Sequence, residues 1–148
     1  MIGLLQRVTE ARVTVDGDVV ASIGRGLLVL VAVTREDTEE AALRLTERIL
    51  GYRVFPDDLN RMNLSIEDLG LDLLLVPQFT LAADTRKGRR ASFTGAADPE
   101  TGSRFFDLVV KLAAERLSRV ESGIFGAHMQ VALVNDGPVT FWLESGNS

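Results

Sequence analysis

Cysteine is absent from the 148-residue chain, and histidine occurs once, at position 128. Without thiols there is neither a disulfide framework nor a thiolate metal site, and a single histidine excludes the HExxH and Cys/His zinc patterns, so no metal or cofactor is expected. A Ser-His-Asp triad would have to use His128, which precedes the apolar run "MQVALV"; the plain reading is a strand-start or loop histidine. Long apolar stretches are missing too. The longest, Leu27 to Val33, falls far short of the roughly 20 residues of a membrane helix. The start, "MIGLLQRVTEARVTV", has no basic leader ahead of an apolar segment, so no signal peptide is read and a cytoplasmic protein off the membrane is expected. Asn63-Leu64-Ser65 fits the glycosylation pattern but means nothing without secretion. No linker, repeat or charged tail divides the chain, and residues 1–148 read as a single domain. A net charge of -5 argues against a broadly basic nucleic-acid surface while leaving room for a local patch.

What is present reads as α+β, with strands outnumbering two main helices and an antiparallel meander near the start. Residues 2–8 and 10–16 alternate as strands, and Asp16-Gly17 is a hairpin signal leading into 18–23. Leu27–Val33 reads as a central strand buried on both faces. Asp37 with Glu40 fits a capping box for a first helix, whose apolar side is Leu43, Leu45, Ile49 and Leu50 and which Gly51 ends. "YRVF" and Leu71–Gln78 read as strands, followed by a polar loop from Asp84 to Asp98. Pro99 opens a second helix running to about Arg119, with Phe105, Phe106, Val109, Leu112, Ala113 and Leu117 as its stripe. Strand returns from Val120.

Gly24-Arg25-Gly26 is no dinucleotide loop, because it opens a strand rather than a helix. Asp57, Asp58, Glu67 and Asp68 sit in turn-like sequence and read as solvated surface, not as a carboxylate pair across a cleft. Two stretches remain. In "VPQFTLAADTRKGRR" a buried strand ends at Gln78-Phe79-Thr80, where side chains and free amides can face a ligand. Thr80 has a nucleophile's functional group but no evident base, so a structural threonine and a catalytic one both stand; the amides of Phe79 and Thr80 could instead stabilise an oxyanion. Arg86, Lys87, Arg89 and Arg90 read equally as a solvated loop or a phosphate-backbone contact. In "LVNDGPVTFWL" two apolar runs are interrupted by Gly137-Pro138, a pair poorly suited to a strand interior. The plain reading is a turn with a trans bond, since only about 5–6% of X-Pro bonds in folded proteins are cis.

Taken together, "LLQRVTEARVTVDG", "GRGLLVLVAVTREDT", "RMNLS", "QFTLAADTRKG" and "MQVALVNDGPVTFWL" resemble the D-aminoacyl-tRNA deacylase family of the bacterial and eukaryotic type with a Gly-cisPro motif. The resemblance spans essentially the whole chain, and the last two blocks are its signatures. It implies a β-rich, barrel-like fold of antiparallel or mixed sheets, assembled as a homodimer with active sites at the interface. Gln78, Phe79 and Thr80 would line the reaction pocket, and Gly137 and Pro138 would reach into the partner's pocket. Arg7 and Met129 match positions that hold the Gly-Pro backbone in orientation. The implied reaction is hydrolysis of the ester joining a D-amino acid to the terminal adenosine of tRNA, with glycyl-tRNA as a second substrate. Two positions depart from the pattern: Pro77 stands where serine is usual, removing a hydroxyl and an amide donor, and His128 stands where an acid is common.

That chemistry suits the residues. An aminoacyl ester is already activated, and the ribose 2′-hydroxyl can assist water, so positioning and oxyanion stabilisation are enough without a histidine base. Two other readings compete: an RNA-binding module built on "TRKGRR", and an esterase for small acyl or aminoacyl compounds.

Overall fold

A computed structural model describes residues 1–146. Strand β1 (Ile2–Val15) is the spine. Along one edge it pairs antiparallel with β2 (Asp18–Ile23) and β3 (Gly26–Ala32). The pairs Ala11↔Ile23 and Val8↔Gly26 keep one register, so β2 and β3 act as a single partner strand bent at Gly24–Arg25. Strand β8 (Gln130–Glu144) pairs antiparallel with β1 along nearly its whole length. Beyond β3 the pairing becomes parallel, within the expected mixed architecture: β6 (Asp72–Pro77) runs parallel to β3, and β7 (Val120–Ser122) parallel to β6. The six strands form one mixed, nearly closed sheet, and β4 (Phe55–Pro56) and β5 (Met62–Leu64) form a small separate hairpin.

Strand β3 is buried on both faces, as its unbroken apolar run requires. Leu27, Val29 and Val31 join the larger core under the helices, while Leu28 joins Val8, Val13, Ile23, Leu74 and Val76 on the other face. Each fully buried side chain of this kind contributes about 1.5–3 kcal/mol. Gly26 is fixed by close approach: a Cβ there would lie 1.8 Å from the Asp72 carbonyl oxygen, so any side chain would push β3 away from β6.

Helices α1 (Glu39–Gly51) and α3 (Pro99–Ala114) cover the larger core. Leu45, Ile49 and Leu50 face inward as expected, but Leu43 is about half exposed. The cap of α1 is Thr38, whose hydroxyl accepts from Ala41 N, not Asp37. Asp37 is occupied elsewhere, accepting from the Met1 amine at 2.7 Å and from Thr34 N at 2.6 Å. Helix α3 stops at Ala114, five residues before the expected Arg119, and the chain turns so that Leu73 N can bond Arg119 O.

A third, short helix, α2 (Ile66–Leu69), lies in the stretch read as a surface turn. Ser65 and Asp68 form a reciprocal capping box, and those bonds hold the Asp68 carboxyl below its ordinary pKa. Two of the neighbouring acids, both half-buried, are also committed. Asp57 Oδ1 accepts from Leu59 N and Arg61 N, and Glu67 pairs with Arg116. No helix among the described residues is long and apolar enough to cross a membrane.

Candidate active site

Strand β6 ends at Pro77. Gln78 N still donates to Val31 O at 2.8 Å, after which the chain closes into one 3-10 turn over Phe79–Ala82. Leu81 N and Ala83 N bond back to the carbonyls of Gln78 and Thr80, leaving the amides of Phe79 and Thr80 as the donors that head such a turn. The Gln78 side-chain amide donates to the Thr80 hydroxyl. Phe79 is 57% exposed and tilts against Phe93, with ring centroids 5.2 Å apart. An aromatic ring of that exposure beside a cavity is available to a ligand.

That cavity measures about 490 Å³. Pro77, Gln78 and Phe79 form one wall, and Phe125 to Met129 another. Pro77 lies just past the last β6–β7 pair, with its ring 3.4 Å from where a Cβ on Gly123 would sit. Gly123 is tight against the same cluster, since a Cβ there would approach Met129 Sδ to 2.8 Å. Met129 Sδ also accepts from Ile124 N at 3.4 Å. His128 is exposed in the loop just before β8, as its sequence context suggested, and it also lines this cavity. Phe125 and Phe93 are neighbours that no local pattern singled out; only their aromatic character in otherwise polar or glycine-rich loops hinted at a use.

Gly137 and Pro138 lie elsewhere. Strand β8 is continuous, and the misfit of a Gly-Pro pair is resolved by a wide bulge. Gln6 pairs with Thr140 and Val8 with Asn135, so Asp136–Val139 all stand opposite Arg7 alone. The Gly137–Pro138 peptide is cis, and Gly137 has φ +129°. Both residues are exposed, and neither lines the cavity. Arg7 holds the bulge: Nε donates to Asp136 O at 3.1 Å and Nη1 to Val54 O at 2.6 Å, with the Asp136 carboxylate 3.4 Å from Nε.

Within one chain, then, Arg7 joins Gly137 and Pro138, whereas Met129 joins Gln78 and Phe79. Met129 and Gly137 are eight residues apart, at most about 26 Å of extended chain at ~3.3 Å per residue. Thr80 is exposed beside the cavity.

The basic stretch forms an exposed loop tied by an Asp84↔Ser92 bridge. Arg86 is committed to Asp84 through a two-pronged ion pair, which holds the Asp84 carboxyl down at about 2. Lys87, Arg89 and Arg90 make no ion pair among the described residues. No group of three His, Asp or Glu among the described residues could hold a metal ion.

The chain is similar to known proteins in sequence and in fold. The chain is 65% identical over 144 residues to the D-aminoacyl-tRNA deacylase of Thioalkalivibrio sulfidiphilus, covering 97% of both chains. It is also 65% identical over 145 residues to that of Alkalilimnicola ehrlichii, covering 98% of this chain and 97% of the other. Among solved structures, the c-Myc DNA Unwinding Element Binding Protein superposes with a TM-score of 0.94 at 38% identity over 99% of each chain. A structure described as a probable eukaryotic D-amino acid tRNA deacylase shares the fold, with a TM-score of 0.86 at 21% identity over 97% of this chain and 98% of that one. The family described as D-Tyr-tRNA(Tyr) deacylase matches residues 4–144, and the chain belongs to it.

Proposed function

We propose that this chain, a D-aminoacyl-tRNA deacylase by family, works as a single-domain protein whose active sites form between two copies and whose chiral filter is the backbone of Gly137–Pro138. The observation that carries the reading is the separation of the two signature segments. The Gln78–Phe79 cavity lies at one end of the sheet, and the exposed Gly137–Pro138 bulge stands well away from it. A second copy is the simplest source of the missing half, and a symmetric pair would complete two sites at once. Strand β8 also exposes Val134 and Trp142, 48% and 49% accessible, as apolar surface for such a contact.

The cavity suits the terminal adenosine: apolar walls at Phe125, Pro77 and Met129 accept a base, and Gln78 offers the polar contact. The ester carbonyl then lies against the head of the 3-10 turn, where the Phe79 and Thr80 amides meet the oxyanion that forms as water attacks. Each donor of that kind is worth about 2.7–4 kcal/mol of barrier. The exposed Lys87, Arg89 and Arg90 supply contacts to the tRNA backbone.

A D-residue directs its side chain where an L-residue carries hydrogen. Fixed backbone in the pocket can therefore reject L-substrates by clash while tolerating any D-side chain. Glycine has no side chain to reject, so glycyl-tRNA is a substrate as well. The test is incubation with D-tyrosyl-, L-tyrosyl- and glycyl-tRNA. Release of D-tyrosine and glycine with L-tyrosyl-tRNA left intact is expected; equal release from both tyrosyl esters would end the filter reading, and retention of tRNA without cleavage would make the chain a binding module.

A further inference from the structure

The bulge that carries Gly137 and Pro138 is closed by a side chain with no role so far. Four residues, Asp136–Val139, are lifted off β1 opposite Arg7, and Val139 N thereby loses a place in the ladder. That amide cannot turn to water freely, because the Val139 side chain is anchored in the core at 8% exposure. The Asn135 side chain replaces the lost partner. Its Oδ1 accepts from Val139 N at 3.1 Å, and its Nδ2 donates to Thr140 Oγ1 at 2.8 Å. One amide group thus bonds both residues that follow Pro138, from the position at which the bulge begins. Arg7 fixes only the first residue of the bulge, through Asp136 O. Gly137 and Pro138 are therefore held from two sides: Arg7 governs entry and Asn135 governs exit.

We infer that Asn135 is a positioning residue that sets the direction in which the Gly137–Pro138 backbone is presented, and so sets the D-over-L discrimination of the deacylase. The inference rests on the chiral filter proposed above. A carboxamide is suited to the task because it offers an acceptor and a donor in one rigid plane. Aspartate preserves the arrangement in part: a carboxylate oxygen accepts from Val139 N, and the Thr140 hydroxyl can turn to donate to the other oxygen. Alanine removes both bonds and frees the exit of the bulge while leaving Arg7, the cavity and the 3-10 turn intact.

Hydrolysis of D- and L-tyrosyl-tRNA is measured for the full chain and for Asn135→Ala, Asn135→Asp, Thr140→Val and Gly137→Ala, each with circular dichroism to establish folding. Asn135→Ala is expected to lower the ratio of D to L kcat/KM by about tenfold, the scale of a misdirected contact felt by only one enantiomer's transition state. Asn135→Asp restores the ratio to within about threefold, and Thr140→Val, which removes one bond of the two, lowers it by about threefold. A folded Asn135→Ala protein with an unchanged ratio, including one that is slower on both substrates alike, overturns the inference. If Asn135→Ala does not fold, Thr140→Val decides by the same criterion. Gly137→Ala separates this from the filter itself: its Cβ would lie 2.6 Å from Val139 Cγ2 and 3.1 Å from Arg7 Nη2 at a φ that side chains avoid. A ratio lost in Gly137→Ala but kept in Asn135→Ala refutes only the role of Asn135, whereas a ratio kept in both refutes the filter.

Discussion

Thr80 accepts a hydrogen bond from the Gln78 side-chain amide, and its partner is therefore a donor rather than a base. A hydroxyl becomes a useful nucleophile when a neighbour takes its proton, and an amide NH₂ cannot do so. The threonine is better explained as the group that orients Gln78 at the cavity wall. Thr80→Val should then cost less than about tenfold in kcat/KM for D-tyrosyl-tRNA, the scale of one lost exposed hydrogen bond. Removal of a true nucleophile would cost several orders of magnitude. Single-turnover kinetics with mass spectrometry of the quenched protein provide the check, and an acyl adduct on Thr80 would overturn the assignment. At this scale the sequence was informative where chemistry sits in the residue itself. Gln78–Thr80 and Gly137–Pro138 stood out because a polar strand end and a Gly-Pro pair inside an apolar run both break a local rule. Phe93 and Phe125 did not, because their contribution comes from where distant loops place them.

Elements were legible to the degree that their causes were local. The double-faced burial of β3 follows from its uninterrupted apolar run, and the Leu45/Ile49/Leu50 face of α1 from helical spacing. The cap of α1 was not, because Asp37 is drawn away by the Met1 amine, a partner 36 positions distant. The bulge in β8 was legible only as a flaw: that four residues face one depends on the register of β1, which β8 alone does not encode. The basic loop is an element with a pH signature of its own. Asp84 titrates at about 2 instead of 3.8, chiefly because the Arg86 side chain and then its backbone amide bond the carboxylate. For a depressed carboxyl the contribution to the loop is complete above the unfolded value and is lost as pH falls through the folded one. The contribution of the Asp84–Arg86 contact is thus expected to begin falling below about pH 4, and half of the carboxylate to be protonated at about pH 2. A carboxyl carbon NMR titration should give Asp84 a midpoint near 2, moving toward 3.8 in Arg86→Ala. A wild-type midpoint already near 3.8 would mean that the ion pair does not persist in solution.

At the scale of the whole molecule, the question is whether one chain or two supply the halves of the proposed site. Gln78 and Phe79 border the cavity while Gly137 and Pro138 stand clear of it, so a functional site built across two copies makes the halves separable by mutation. Phe79→Ala damages the cavity side and Gly137→Ala the filter side. Each homodimer would then carry two sites with the same defect. A mixed dimer differs: one of its sites combines both defects, and the other combines the intact cavity of one chain with the intact bulge of its partner. With equal amounts and random pairing, half of the dimers are mixed and each has one good site, so about one quarter of wild-type D-selective activity should return. The two variants are to be co-expressed with different affinity tags, and the species carrying both tags isolated and assayed with D- and L-tyrosyl-tRNA. Its mass by light scattering should be twice the 16.1 kDa of one chain. In that purified species about half of the wild-type D-selective rate is expected, because every molecule then has one good site of two. No recovery in a species of dimeric mass would place cavity and filter within the same chain. A 16.1 kDa mass for a wild-type protein that still hydrolyses D-tyrosyl-tRNA selectively would remove the need for a second copy altogether.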